Sequence, residues 1–251
     1  MLLSLSPSNL FDASQGLGLN QATAFTFFVG TMAMMASSVF FFLEIRNVDQ
    51  KWRTSVLVSG LITLIAAVHY YYMRDYFIST GTSPTFFRYV DWLLTVPLMC
   101  VEFYLITKKG GAKSSLLWQL ILASVIMLVT GFFGEATDRD NSVLWGVISG
   151  AAYFYIVYLV WFGEVAKVAQ TAGPSVAKAT RILARFVLVG WAIYPLGYII
   201  GTPGGLFGIW GSADANPWMD VVYNIGDAVN KIGFGLVIYT LAKSESSESN
   251  A

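Results

Sequence analysis

The chain has 251 residues, 56% hydrophobic and 12% charged, with a formal net charge of zero. A soluble domain carries about twice that charged fraction, and a neutral balance supplies no electrostatic footprint for nucleic acid. The single cysteine, Cys100, excludes an intramolecular disulfide, and one histidine without HExxH, CxxC, Walker-loop or GxGxxG patterns gives no sign of a transition-metal or nucleotide site.

The opening MLLSLSPSNLFDASQG has neither a basic start nor a sustained apolar core, so it reads as a short external segment, 1–20, rather than a cleaved signal peptide. Long apolar runs then follow near residues 21–43, 54–73, 89–107, 115–134, 142–162, 182–200 and 217–242. Each is close to the roughly 20 residues that carry a helix across about 30 Å of hydrocarbon. Lipid leaves no partner for unpaired backbone groups, so the expected class is all-α: a seven-transmembrane-helix bundle. The connections near 108–114 and 135–141 are too short for anything but antiparallel neighbours. No linker divides the chain, which reads as one domain over 1–251 ending in a tail at 243–251. The glycines of GTPGGLFGIWGSADANP read as turn residues of the connection before the last crossing.

Basic residues set the expected orientation. Arg46, Lys51 and Arg53 follow the first crossing, Lys108, Lys109 and Lys113 the third, and Lys167, Lys178, Arg181 and Arg185 lie around the link from fifth to sixth, against little beyond Arg74 and Arg139 on the other side. The basic side is expected to face the cytoplasm, with the amino terminus outside and the carboxyl terminus cytoplasmic.

Charges inside the apolar runs point to function, because an unpaired charge in hydrocarbon costs several kcal/mol. The third crossing reads FFRYVDWLLTVPLMCVEFYLI. Arg88, Asp91 and Thr95 are spaced by three and four and share a helix face. Glu102 follows Asp91 by eleven residues, about 16 Å of rise and within about 20° of three full turns. Both acids therefore look into one interior column, with Pro97 between them as a place for a bend or for water. A structural Arg88–Asp91 pair beside a protonated Glu102 is the bland reading of that column, and a path for ions the sharper one.

The seventh crossing, PWMDVVYNIGDAVNKIGFGLVIYTLAK, places Lys231 too deep to snorkel. Asp227 precedes it by four on the same face, and Asp220 lies two turns further back. Such a lysine is either an ion-pair partner or a desolvated amine suited to Schiff-base chemistry. Charge counting balances Lys231 and Arg88 against Asp91 and Asp227 and leaves Glu102 free to be neutral. Trp92, Trp145 and Tyr153, with Trp191, Tyr194, Pro195 and Tyr198 from GWAIYPLGY, supply flat walls. A slot of rings with a cation at one end suits an elongated conjugated molecule on Lys231.

With RYVDWLLTVPLMCVE in the third crossing, WAIYP in the sixth and DAVNK in the seventh, the sequence resembles the microbial rhodopsins, most closely the proteorhodopsin group of bacterial light-driven proton pumps. The resemblance spans all seven crossings. It implies all-trans retinal bound covalently to Lys231 as a protonated Schiff base. By the same resemblance, Asp91 is the counterion and proton acceptor, Thr95 its supporting hydroxyl, Asp227 the second counterion and Glu102 the proton donor. Arg88 is the outward arginine that orients charge and water, and His69 the acceptor's histidine partner, titrating near neutrality. Met99 stands where green-absorbing relatives carry an apolar residue and blue-absorbing ones Gln, which implies green absorption.

The resemblance further implies a multi-pass protein of the bacterial inner membrane that moves H+ from cytoplasm to exterior. It implies lipid as its surroundings, a homo-oligomer (pentamer or hexamer), no nucleic acid, no metal, no obligatory protein transducer and no enzymatic turnover. Departures from the archaeal pumps are the glutamate donor, Tyr198 in place of a tryptophan, and Asp214 as the sole acid before the last crossing, which argues for late proton release. The alternative function is a sensory rhodopsin signalling to a partner. A light-gated channel fits less well with the apolar face between Thr95 and Glu102, and a transporter without a chromophore leaves Lys231 unexplained.

Overall fold

A computed structural model describes residues 18–201 and 217–248. The expected external segment 1–20 (apart from its last three residues), Asp214 and the end of the tail lie outside the described residues. Among the described residues, seven helices are long and apolar enough to cross a membrane. The first four crossings are α1 (Leu19–Glu44), α2 (Arg53–Thr80), α3 (Thr85–Thr107) and α4 (Ser114–Phe132). The fifth contains α5 (Ser142–Trp161), and the seventh is α9 (Pro217–Glu248).

Local chemistry sets the breaks. Gly81 ends α2 in the left-handed conformation, φ 68°, with its N–H bonded to the Phe77 carbonyl. Pro97 is inside α3, which stays helical through it. The link between the fifth and sixth crossings, expected as a connection, is itself helical: α6 (Glu164–Ala172) and α7 (Pro174–Arg185) meet at Gly173, φ 124°. Both are strongly two-faced, with Val165, Ala169, Val176 and Leu183 buried and Lys167, Lys178 and Arg181 outside or at the rim.

The sixth crossing is not one α-helix. After α7 comes a π-helical segment, Phe186–Gly190, then a turn at Trp191 and Ala192, then α8 (Ile193–Gly201). Restarting the helix at Ile193 puts Pro195 in a first turn, where its missing N–H leaves no intrahelical bond unmade.

The helices close into a ring, α1 against α2 and α9, α3 between α2 and α4, α4 against α5, and α7 against α5 and α9. Large apolar side chains such as Leu43, Trp118, Phe154 and Val189 point outward and are exposed, as lipid-facing positions require. The inside carries the polar residues. Arg88, Asp91, Thr95, Glu102, Asp220, Asn224, Asp227, Asn230 and Lys231 are all buried, on α3 and α9, whose facing surfaces form the axis of the site.

Candidate functional site

Lys231 is 2% exposed and sits between two carboxylates, which is what makes a cation tolerable at this depth. Its Nζ donates to Asp91 Oδ2 at 2.5 Å and to Asp227 Oδ2 at 2.6 Å. Asp227 reaches it by the four-residue helical spacing within α9, and Asp91 reaches it from α3. Tyr194 donates its hydroxyl to Asp227 Oδ1 at 2.7 Å, so both oxygens of that carboxylate are engaged. Asp91 differs. Its Oδ1 is buried without a hydrogen-bond partner, and His69 Nδ1 stands 3.9 Å from it. The same His69 nitrogen lies 2.8 Å from the Ile65 carbonyl, which orients the ring along α2 toward Asp91 of the same chain.

Thr95 shares the face with Asp91, as its spacing requires, but its hydroxyl donates to the Asp91 backbone carbonyl at 2.9 Å and not to the carboxylate. Its support therefore runs through the main chain.

Arg88 corrects the charge count made from the sequence. Its Nη2 donates to Asp220 Oδ1 at 2.7 Å and to Asn224 Oδ1 at 2.8 Å, and it forms no ion pair with Asp91. Ser83 adds a second donor to Asp220 at 2.9 Å. The guanidinium carbon stands 5.1 Å from the Phe27 ring centre and 5.2 Å from that of Tyr223, two faces that favour a cation. Its charge is thus met locally by Asp220. Lys231 is left as the one cation in contact with both Asp91 and Asp227.

Glu102 is fully buried further along α3 and has no salt-bridge partner among the described residues. Ser59 of α2 donates to its Oε1 at 3.1 Å, and Oε2 is buried without a partner. Ser55, Ser59 and Thr63 repeat every four residues along α2 and are all buried, a hydroxyl stripe that passes this acid.

A cavity of about 580 Å³ adjoins the Lys231 cluster. Trp92, Tyr153, Trp191, Tyr194, Pro195 and Tyr198 line it, joined by aliphatic groups of α4 to α8. Trp92 is next to Asp91 in sequence, Tyr194 bonds Asp227, and their ring centres are 4.7 Å apart, so these two rings form the wall between cavity and amine. The volume falls in the range of small-molecule sites, and an apolar, ring-lined cavity one aromatic layer from a buried primary amine suits the conjugated chain of retinal.

Two expected wall residues are placed otherwise. Met99 is buried in the same apolar cluster as Trp92, Tyr153 and Trp191 without appearing on the cavity surface. Trp145 lies outside the lining. Its indole N–H donates to Asp138 at 2.9 Å and its ring stacks on Phe133. Hydrogen bonds from Trp145 and Asn141 hold the Asp138 carboxyl below the usual carboxylate range.

Further polar residues belong to this interior and escape sequence reasoning. Tyr89, on the cavity wall, donates to Glu135 Oε2 at 2.7 Å. Asn224 bridges Arg88 and Thr26. Asn230 donates to the Gly190 carbonyl at 3.0 Å. The asparagines had a signal, since each falls beside an acid or the lysine in an otherwise apolar helix.

The geometry agrees with comparison to known proteins. The profile of the family described as "Bacteriorhodopsin-like protein" matches residues 21–245. The "Green-light absorbing proteorhodopsin" of Gamma-proteobacterium EBAC31A08 is 44% identical over 243 residues, covering 95% of this chain and 94% of that protein. The "Blue-light absorbing proteorhodopsin" of Gamma-proteobacterium Hot 75m4 is 44% identical over 242 residues, with the same coverage of 95% and 94%. Among solved structures, Exiguobacterium sibiricum rhodopsin superposes with a TM-score of 0.78 at 34% identity, covering 90% of this chain and 98% of its own.

Proposed function

The chain belongs to the bacteriorhodopsin-like family, a multi-pass, non-enzymatic rhodopsin of a retinal-binding kind, and we propose that it is an outward proton pump driven by light, with all-trans retinal joined to Lys231 as a protonated Schiff base. One observation carries this reading. Lys231 Nζ contacts Asp91, and a second buried acid without a cation, Glu102, stands eleven residues further along the same helix.

Bound in the aromatic cavity, retinal supplies light absorption and the isomerisation whose energy drives transport. The protein's residues do the rest. Lys231 Nζ gives its proton to Asp91 Oδ2, the carboxylate already in contact with it. Asp227, held by the Tyr194 hydroxyl, remains the lasting partner of the Lys231 site. Arg88, locked to Asp220 and Asn224, walls the Asp91 end with fixed charge and faces the outlet. Glu102 keeps a proton under the Ser59 hydroxyl and returns it to Lys231 Nζ; it stands about three turns of helix along α3 from Asp91, roughly 16 Å of rise, and water or side-chain movement must bridge the gap. Directionality comes from a change of access between these two transfers.

The basic connections support a cytoplasmic location for the Glu102 end and an external amino terminus. The setting is then a bacterial inner membrane, with lipid and the transported H+ as partners, a homo-oligomer as the assembly and no transducer protein required. Illumination of cells or right-side-out vesicles should acidify the medium, and a protonophore should abolish the signal. Absence of a light-dependent pH change in protein that carries its visible band would favour the sensory alternative.

A further inference from the structure

The π-helical segment Phe186–Gly190 has a consequence beyond the charge pathway. A π segment misaligns the regular ladder and leaves carbonyls without helical N–H partners, which lipid cannot satisfy. Here neighbouring helices satisfy them. Tyr153 of α5 brings its hydroxyl 3.1 Å from the Val187 carbonyl and 2.9 Å from that of Leu188. Trp161, also of α5, donates to the Ala184 carbonyl at 3.1 Å. From the opposite side, Asn230 of α9 donates to the Gly190 carbonyl at 3.0 Å.

The last bond has a special position. Asn230 immediately precedes Lys231, and the carbonyl it holds belongs to the Gly190–Trp191 peptide, whose Trp191 lines the cavity. A methyl group on Gly190 would collide with Asn230 Oδ1, so the side chain sits directly against the α-carbon. On the far side of this contact the chain turns and restarts as α8, making residues 186–192 the one place where the two halves of the sixth crossing meet without a continuous α-helix.

We propose that Asn230 is a positioning residue for the access change: its bond to Gly190 latches a hinge at 186–192, coupling the Lys231 segment of α9 to the α7 half of the sixth crossing. Displacement at Lys231 or Trp191 breaks the bond, and α7 swings away from α3 to open the Glu102 end. This rests on the pump reading for its purpose, while the latch is a property of the protein without light.

The test has a dark arm and a light arm. In nanodiscs without illumination, Asn230→Ala should raise amide hydrogen exchange over residues 190–196 about tenfold, as expected for one net hydrogen bond, with α1 and α2 unchanged. Tyr153→Phe should act on the same segment from the other side, and it serves if Asn230→Ala does not fold. In a Cys100→Ser background, spin labels at Lys178→Cys on α7 and Lys108→Cys beyond α3 should separate on illumination. Asn230→Ala should show part of that separation already in the dark. Unaltered exchange together with an unaltered dark distance distribution in both variants overturns the latch. An absent light-induced separation in the parent with altered dark exchange in the variants keeps the latch and removes its role in the pump.

Discussion

Arg88 is paired with Asp220 at 2.7 Å across α3 and α9, not with Asp91 one turn away on its own helix. The consequence is a division of the buried charges into two neighbouring groups. Arg88, Asp220 and Asn224 form one, and Lys231, Asp91 and Asp227 the other. In the first, Arg88 Nη2 is held by Asp220 and Asn224, while its Nε and Nη1 are buried without a hydrogen-bond partner. The second has an acceptor oxygen, Asp91 Oδ1, without one.

This division predicts different costs for two similar substitutions. Asp220→Asn leaves Arg88 buried with its counter-charge removed, a loss of about 3–5 kcal/mol. Asp91→Asn leaves the Arg88–Asp220 ion pair intact and Lys231 still beside Asp227, so it should cost much less. Thermal loss of the visible band in detergent ranks the two. Equal stability would mean that Asp220 is not the working partner of Arg88.

Lys231→Ala should leave a folded membrane protein with no visible absorption band after addition of retinal. The variant keeps the cavity walls but removes the amine that, among the described residues, contacts both Asp91 and Asp227. A normal band in that variant would refute covalent attachment at this residue.

Asp91→Asn should still bind retinal, absorb at longer wavelength at neutral pH and pump no protons, because the contact at 2.5 Å no longer offers a carboxylate. His69 faces that acid from α2, its Nδ1 3.9 Å from Asp91 Oδ1. Substituting His69 with Asn should move the midpoint of the colour transition. Superimposable titrations of variant and parent would dissolve the coupling.

The acids and Lys231 were legible because a charge inside an apolar run is rare enough to demand a partner. Their shared face followed from spacing. Spacing within α3 tells which residues lie together but not which helix faces them, so the Arg88–Asp220 pair was not legible. Trp145 shows the same limit for rings: an aromatic residue in a crossing carries no label for cavity or rim. The helical character of 164–181 is not legible because α6 and the start of α7 are amphipathic, with charges that break the apolar run. The π segment at 186–190 was missed because run length is the same whichever hydrogen-bond register fills it.

Met99 is 1% exposed and buried with Trp92 and Trp191, close to the rings expected to flank retinal. Green absorption is expected with this apolar residue in place. Met99→Gln brings an amide dipole into that cluster and should move the absorption maximum toward the blue. An unchanged spectrum in a folded, pigmented variant would detach colour from this position.

Glu102 decides between pump and sensor. It forms no ion pair with Lys231 and does not line the cavity, and Ser59 donates to it at 3.1 Å. Replacing it with Gln keeps the shape and the hydrogen-bond acceptor but removes the transferable proton. The resting spectrum should stay nearly the same. After a flash, the loss of visible absorption that accompanies proton transfer from Lys231 Nζ to Asp91 should develop at the normal rate. Its recovery should slow about 10²-fold, the smaller end of what a positioned proton donor contributes. Recovery should also become dependent on bulk pH, slowing as pH rises, because protons must then arrive from the medium. Azide, a small diffusible proton carrier, should restore part of the rate. Ser59→Ala should produce a milder slowing, since it leaves the acid but removes the hydroxyl that holds it. Flash-induced absorbance recovery measured across pH in parent, Glu102→Gln and Ser59→Ala distinguishes the cases. A recovery in Glu102→Gln as fast and as insensitive to pH as in the parent would exclude Glu102 as the donor and leave a light sensor as the better account of the molecule.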